Sequence, residues 1–125
     1  METKFLKKNQ HDRVLMIAYL IVLNVFKRSI STRQSKESKT IKYYTLSGSD
    51  KAKCNDLVQN ALRFTVYLDK WINSIKTGRV RVEMYCILRL ALTDMLVRNK
   101  KKETVLKKYS DLAFSLERTK HSKDH

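Results

Sequence analysis

Proline is absent from the 125 residues, and glycine occurs only at Gly48 and Gly78. A glycine-rich loop that cradles phosphates has nowhere to form, which excludes nucleotide hydrolysis of the P-loop kind. Histidine is almost as scarce. His11 lies in a leader, and His121 and His125 sit four apart at the far end of the chain, where a terminus cannot hold metal geometry. The two cysteines, Cys54 and Cys86, fall at apolar helical positions without CxxC or histidine spacing. They read as buried free thiols of a reducing compartment, which points to the cytoplasm. Serines are abundant, but they sit in turns and tails with no ordered base beside them. These absences describe a binding protein with no catalytic residues, no cofactor and no metal.

Acidic residues are the next scarcity, 12 against 27 lysines and arginines, for a formal charge of +15. Such an excess repels itself in a compact state, and a polyanion that releases counterions on binding is its natural complement. RNA or DNA is the expected partner. An AT-rich coding bias, which raises lysine and lowers glycine and proline, accounts for part of the same signal. Long apolar runs are missing too. Residues 14–26, VLMIAYLIVLNVF, span only about 20 Å as a helix, against a hydrocarbon layer of roughly 30 Å. They cannot cross a bilayer, and no small-x-small cleavage site follows them. A helix apolar all round belongs in the middle of a bundle.

What is present is helical periodicity. With 125 residues, one domain can bury about two-thirds of the surface of its unfolded chain. In the stretch from Trp71 to Arg98, residues Met84, Ile87, Leu88, Ala91, Leu92, Met95 and Leu96 recur at steps of three and four. They form a stripe predicted to lie across the core. Thr77 and Gly78 interrupt the pattern, so one helix stops near Ile75 and the next starts near Val80. Residues 1–13 form a basic leader. Residues 27–50 read as a mostly exposed connection with one short helix around 40–46, tucking Ile41, Tyr44 and Leu46 inward. Ser49 or Asp50 caps the segment that follows. Residues 51–76 are either one long helix or two bent near Thr65. A last helix opens at Glu103 or Thr104 and turns Val105, Leu106, Tyr109, Leu112, Ala113 and Leu116 to one side, and residues 117–125 form a tail.

The run from Cys86 to Leu96, Cys-Ile-Leu-Arg-Leu-Ala-Leu-Thr-Asp-Met-Leu after a turn that follows Trp71, resembles the "ILRLAxYEL" helix of the NusB family. Residues 65–69, Thr-Val-Tyr-Leu-Asp, are similar to the family's "TxYLD" segment. The resemblance covers most of residues 10–116. It implies an all-α NusB-like bundle of about five to six helices, with the corner near Thr65. Departures are visible. Asn60 replaces a family glycine, and the turn at residues 99–103 lacks the family's proline. In the last helix the family's acidic residue falls near Lys108 and its final lysine near Phe114. The family's closing "FVNGxLD" helix has no counterpart in residues 118–125, so that helix is lost or a partner completes the core.

The resemblance further implies an RNA-binding antitermination factor. It would take single-stranded boxA-like leader RNA beside the ribosomal protein NusE, act indirectly on the RNA polymerase elongation complex during rRNA synthesis, and need no membrane. The family's arginine-rich N-terminus corresponds to Lys4, Lys7, Lys8 and Arg13 here. Lysine keeps the charge of arginine and loses its bidentate fork. Arg79 and Arg81 in the turn before the helix that carries Cys86 to Leu96, and Lys100, Lys101 and Lys102 after it, are the other dense basic clusters. Tyr67, with Tyr43 and Tyr44, is the candidate for stacking on unpaired bases, although each also suits the core. Arg89, the arginine of "LRLA", is expected to make a surface or buried ion pair with Asp94 or Glu83. Two other identities share some of these features. One is the NusB-like RNA-binding domain of rRNA cytosine methyltransferases, standing alone in ribosome maturation. The other is a basic membrane-associated protein anchored by residues 14–26.

Overall fold

A computed structural model describes residues 2–75 and 78–123, with the side chains of 2–12 and 118–123 outside the description. Among the described residues six α-helices make an all-α bundle: α1 (Glu2–Arg28), α2 (Thr32–Glu37), α3 (Gly48–Arg63), α4 (Thr65–Ile75), α5 (Val82–Leu92) and α6 (Lys102–Lys123). A 3-10 turn, Tyr43–Thr45, precedes α3, and a π turn, Thr93–Val97, continues α5.

The helix at the centre is α1. Leu15, Ile17, Ala18, Tyr19, Ile21 and Val22 are all buried, on a little over half of the helix circumference, and Met16, Leu20 and Leu23 on the other side are partly buried against the same core. They can be buried together because α2, α3, α5 and α6 all pack against α1. These residues are turned into the bundle, away from any surface that could meet lipid as an isolated apolar helix would. Among the described residues no helix is long and apolar enough to cross a membrane.

Local chemistry explains where the helices start and stop. Ser29 adopts a left-handed backbone and ends α1. Ser31 then opens α2 with a capping box: its Oγ accepts from Gln34 N at 3.1 Å, and Gln34 Oε1 accepts from Ser31 N at 3.2 Å. The buried Ser35 donates to the carbonyl of Ile21 at 3.2 Å, fastening α2 to α1. The cap of α3 is Ser47, whose Oγ accepts from Asp50 N at 3.1 Å. The helix therefore begins before Ser49 and Asp50, the residues expected to cap it, and Asp50 instead lies in its first turn, where a carboxylate favours the helix dipole. Of the two alternatives for residues 51–76, the chain takes two helices. Thr65 Oγ1 donates to the carbonyls of Ala61 and Leu62 at 2.9 and 3.0 Å, at the corner where α3 gives way to α4. Gly78, at φ +79°, takes a left-handed turn that a side chain would resist.

The buried side of α5 is not the stripe that periodicity selects. Cys86, Ile87, Leu90, Thr93 and Asp94 are buried, whereas Met84 and Leu96 are exposed. Both polar side chains on the true inner side are satisfied. Thr93 donates to the carbonyl of Arg89 at 2.6 Å. Asp94 accepts from the Tyr109 hydroxyl at 2.6 Å and from Arg98 Nη1 at 2.8 Å. Past Leu92 the helix widens: Arg98 N bonds the carbonyl of Thr93 at 2.9 Å, a span of five residues that defines the π turn.

Arg89, 8 % exposed, pairs with neither Asp94 nor Glu83. Its Nε and Nη2 donate to the two carboxylate oxygens of Asp69 on α4, at 2.8 and 3.1 Å, and its guanidinium lies 4.0 Å from the Phe26 ring centroid. That bidentate pair, with the buried Leu68 and Ile72, holds α4 to α5. In α6, Val105, Tyr109 and Leu112 are buried as expected, while Leu106 is exposed. The helix also extends through most of the segment read as a tail.

Two stability measurements follow from this packing. Arg89→Ala strands the Asp69 carboxylate, which keeps 30 % of its side chain in water, so urea unfolding should show a loss of about 3 kcal/mol, the low end for a broken buried pair. Burial raises the Cys54 and Cys86 thiols to about 11 and the Tyr19 phenol to about 12. The folded state thus holds these protons more tightly than the unfolded chain. Stability from these groups should be constant below about pH 8.5, the ordinary thiol range, and fall as pH rises through 11, as urea midpoints at pH 7 and pH 10.5 will show.

Candidate nucleic-acid interface

Short elements from four parts of the chain converge on the first turns of α3. The 3-10 turn is entered through Lys42, at φ 63° and ψ 29°, a left-handed conformation that costs a residue with a Cβ about 1 kcal/mol. After it Tyr43 goes inward, 6 % exposed, and Tyr44 goes outward, 60 % exposed. The expectation that Tyr44 packs inward with Ile41 and Leu46 is therefore corrected to Tyr43, while Ile41 and Leu46 are buried as expected.

The inward ring is pinned. Asn55 Nδ2 on α3 donates to the Tyr43 hydroxyl at 2.7 Å, and Tyr43 meets Tyr44 edge to face, centroids 5.1 Å apart and planes at 82°. Cations surround the pair. Lys36 Nζ of α2 stands 5.0 Å from the Tyr43 centroid, and Lys51 Nζ of α3 stands 5.5 Å from that of Tyr44. Arg13 reaches over from α1, its Nη2 donating to Thr45 Oγ1, and that hydroxyl donates to the carbonyl of Lys42 at 2.6 Å. None of Arg13, Lys36, Lys42 and Lys51 forms an ion pair among the described residues. A surface with free cations around an exposed aromatic ring can hold phosphates and stack a base.

The other sequence-derived candidates are distributed differently. Lys4, Lys7 and Lys8 lie on the first turns of α1, upstream of Arg13, with side chains outside the described residues. Lys100, Lys101 and Lys102 are exposed at the entry to α6. Two residues before them, Arg98 bonds Asp56 on α3 at 3.1 Å, next to the Asn55 that holds Tyr43. Arg79 and Arg81 belong to another end of the bundle. Glu83 pairs with Lys27 at 3.5 Å, fourteen residues and about 21 Å along α1 from Arg13. Arg81 caps α5 without a side-chain bond, and Glu83 takes up that role: its own backbone N–H, helped by Lys27 nearby, holds its carboxyl below the usual range. Tyr67 is exposed on α4, in line with Trp71 and Ile75 and beside Val66, so it is an outward residue and not part of the core.

A comparison with protein families agrees with the all-α fold: the model of the NusB family matches residues 11–123. The chain belongs to the NusB family. No curated protein and no solved structure matches it. Membership supports a general role in RNA binding and transcription antitermination, and the NusB match includes every residue that converges on α3. Lys36 and Lys42 belong to the basic residues of the 27–50 connection, with Arg28, Arg33 and Lys39, that the sequence offers for RNA contact, although a solvated loop is the reading it favours. Lys51 lies outside the NusB-type motifs, which are hydrophobic and helical.

If this surface contacts phosphates, Lys42→Ala with Lys51→Ala should weaken binding to single-stranded RNA and lower the slope of log affinity against log salt by about 0.7 per lost contact. Fluorescence anisotropy titrations at four salt concentrations will measure it.

Proposed function

We propose that this NusB-family chain binds single-stranded leader RNA of the boxA kind together with the ribosomal protein NusE. In this reading the pair joins the elongating RNA polymerase and suppresses termination during rRNA synthesis, in the cytoplasm. The observation that carries it is the set of cations without ion pairs at the turn that holds Tyr43 and Tyr44, on a chain with a net charge of +15. In this reading Lys4, Lys7 and Lys8 on α1, and Lys100, Lys101 and Lys102 at the entry to α6, also contact the RNA.

Support for a protein partner comes from a different face. On α4, Val66, Tyr67, Trp71 and Ile75 are exposed together, a concentration of apolar side chains that a monomer in water would normally cover. Separate faces for RNA and protein allow both to be held at once.

Gel shifts with a boxA-like RNA test the reading. Binding should weaken steeply with salt, fall when Lys7 and Lys8 become Ala, and tighten when NusE is added. RNA binding indifferent to NusE and to the boxA sequence would favour a role in ribosome maturation instead. Recovery of the protein in the membrane fraction would contradict the cytoplasmic assignment.

A further inference from the structure

The ring of Tyr44 stands out among the exposed aromatic side chains because it is both open and held. We propose that Tyr44 is a stacking platform for one unpaired base of the bound strand, with Lys51 and Lys42 taking the flanking phosphates. The proposal rests on the RNA-binding reading above and names the residue that makes it selective for single strands.

Three observations converge on this ring. First, it is 60 % exposed although it adjoins the core, and the Lys51 ammonium over the ring is the end of a flexible side chain that swings aside for a base without rearrangement of the fold. Second, its position is fixed from behind. Tyr43 is buried and bonded to Asn55, and the edge-to-face contact at 5.1 Å passes that rigidity on to Tyr44. The left-handed Lys42 and the bond from Thr45 to the Lys42 carbonyl set the backbone of the same turn. A platform already ordered before binding loses little conformational freedom when a ligand arrives. Third, the charges lie where a nucleotide needs them. The Lys51 ammonium is 5.5 Å from the ring centroid, and a phosphate sits within a similar distance of its own base. Arg13 approaches from the other side of the turn through Thr45.

The exposed aromatics on α4 lack this setting. Tyr67 and Trp71 stand among Val66 and Ile75, so their neighbours suit an apolar partner better than a phosphodiester chain. Stacking also explains a preference that lysines alone cannot. Phosphate contacts carry no information about the base, and in a duplex the faces of the bases are already occupied. A free ring accepts any unpaired base, since every base has a π-face. The platform therefore gives selection for single strands with little selection among bases.

The test uses the full chain, fluorescein-labelled oligouridylate twelve nucleotides long, a duplex of equal length, and an abasic single strand of the same charge. Tyr44→Ala should weaken binding to oligouridylate by about tenfold, in the range for one lost stack, with the salt slope unchanged. Tyr44→Phe should bind as the parent does, and the abasic strand and the duplex should not respond to Tyr44→Ala. In a Trp71→Phe background, Tyr44→Trp supplies the sole indole, and its emission should be quenched when oligouridylate binds. Circular dichroism confirms that each variant folds.

Parent-like binding by Tyr44→Ala, or an equal loss for the abasic strand, overturns the platform and leaves the RNA reading standing. Weakening by Tyr67→Ala or Trp71→Ala in place of Tyr44→Ala moves the stack to α4 and likewise overturns it. Absence of binding by the parent protein at low salt overturns the RNA reading itself.

Discussion

The burial of α1 over most of its surface is the constraint from which the rest of the architecture follows. A helix with Leu15, Ile17, Ala18, Tyr19, Ile21 and Val22 all inside, and Met16, Leu20 and Leu23 partly buried on its other side, needs neighbours on more than one flank. α2, α3, α5 and α6 are those neighbours, and each can then present only one of its own sides to the centre. Polar groups trapped between these surrounding helices need partners, because an unpaired charge in that setting costs several kcal/mol. The pair between Arg89 and Asp69 and the Asp94, Arg98 and Tyr109 cluster meet that need at two seams. They also fix which helices meet there, since neither pairing survives a rotation of α5 by one residue.

The same pairings shape the electrostatics outside. Asp56, Asp69, Asp94, Glu83 and Glu37 are all engaged with a lysine or arginine of the chain. Acid is scarce, and much of it goes to internal contacts. The cations left over therefore face solvent with few carboxylates between them, and the net charge of +15 sets a positive outward field. Such a field draws a polyanion towards the molecule. It does not orient one, because flexible ammonium groups hold phosphates in many arrangements.

Much of the helical skeleton was legible in residue spacing. The break at Thr65, the stop near Ile75, the central place of residues 14–26 and the inward Val105, Tyr109 and Leu112 all follow from periods of three and four with a few breakers. The rotation of α5 was not legible. Met84, Leu88, Leu92, Met95 and Leu96 are as apolar as Cys86, Ile87 and Leu90, so two overlapping stripes compete. The correct one contains Arg89, Thr93 and Asp94, which a pattern of apolar and polar residues assigns to water. Only partners elsewhere in the chain, Asp69 and Tyr109, reverse that assignment. The choice between Tyr43 and Tyr44 was hidden for a related reason. Adjacent tyrosines are equivalent to any periodic test, and the left-handed turn at Lys42 decides which goes inside. Sites assembled from short, non-repeating segments are the least visible in sequence. That is where Lys36, Tyr44 and Lys51, residues from three different elements, come together.

The division of labour between surfaces has a physical basis in these two kinds of aromatic setting. On α4 the exposed rings adjoin aliphatic side chains, a combination stabilised by excluding water against another apolar surface. Around α3 the exposed ring adjoins ammonium groups, whose hydration would be lost under an apolar partner without compensation. A phosphodiester supplies that compensation directly, as each phosphate brings the charge the lysines lack while the base covers the ring. In the proposed reading the two faces would thus select against each other's ligands. A chain with one uniform cationic coat could bind RNA, but it would have no reason to keep Val66, Trp71 and Ile75 in water on one helix and a buttressed tyrosine among lysines on another.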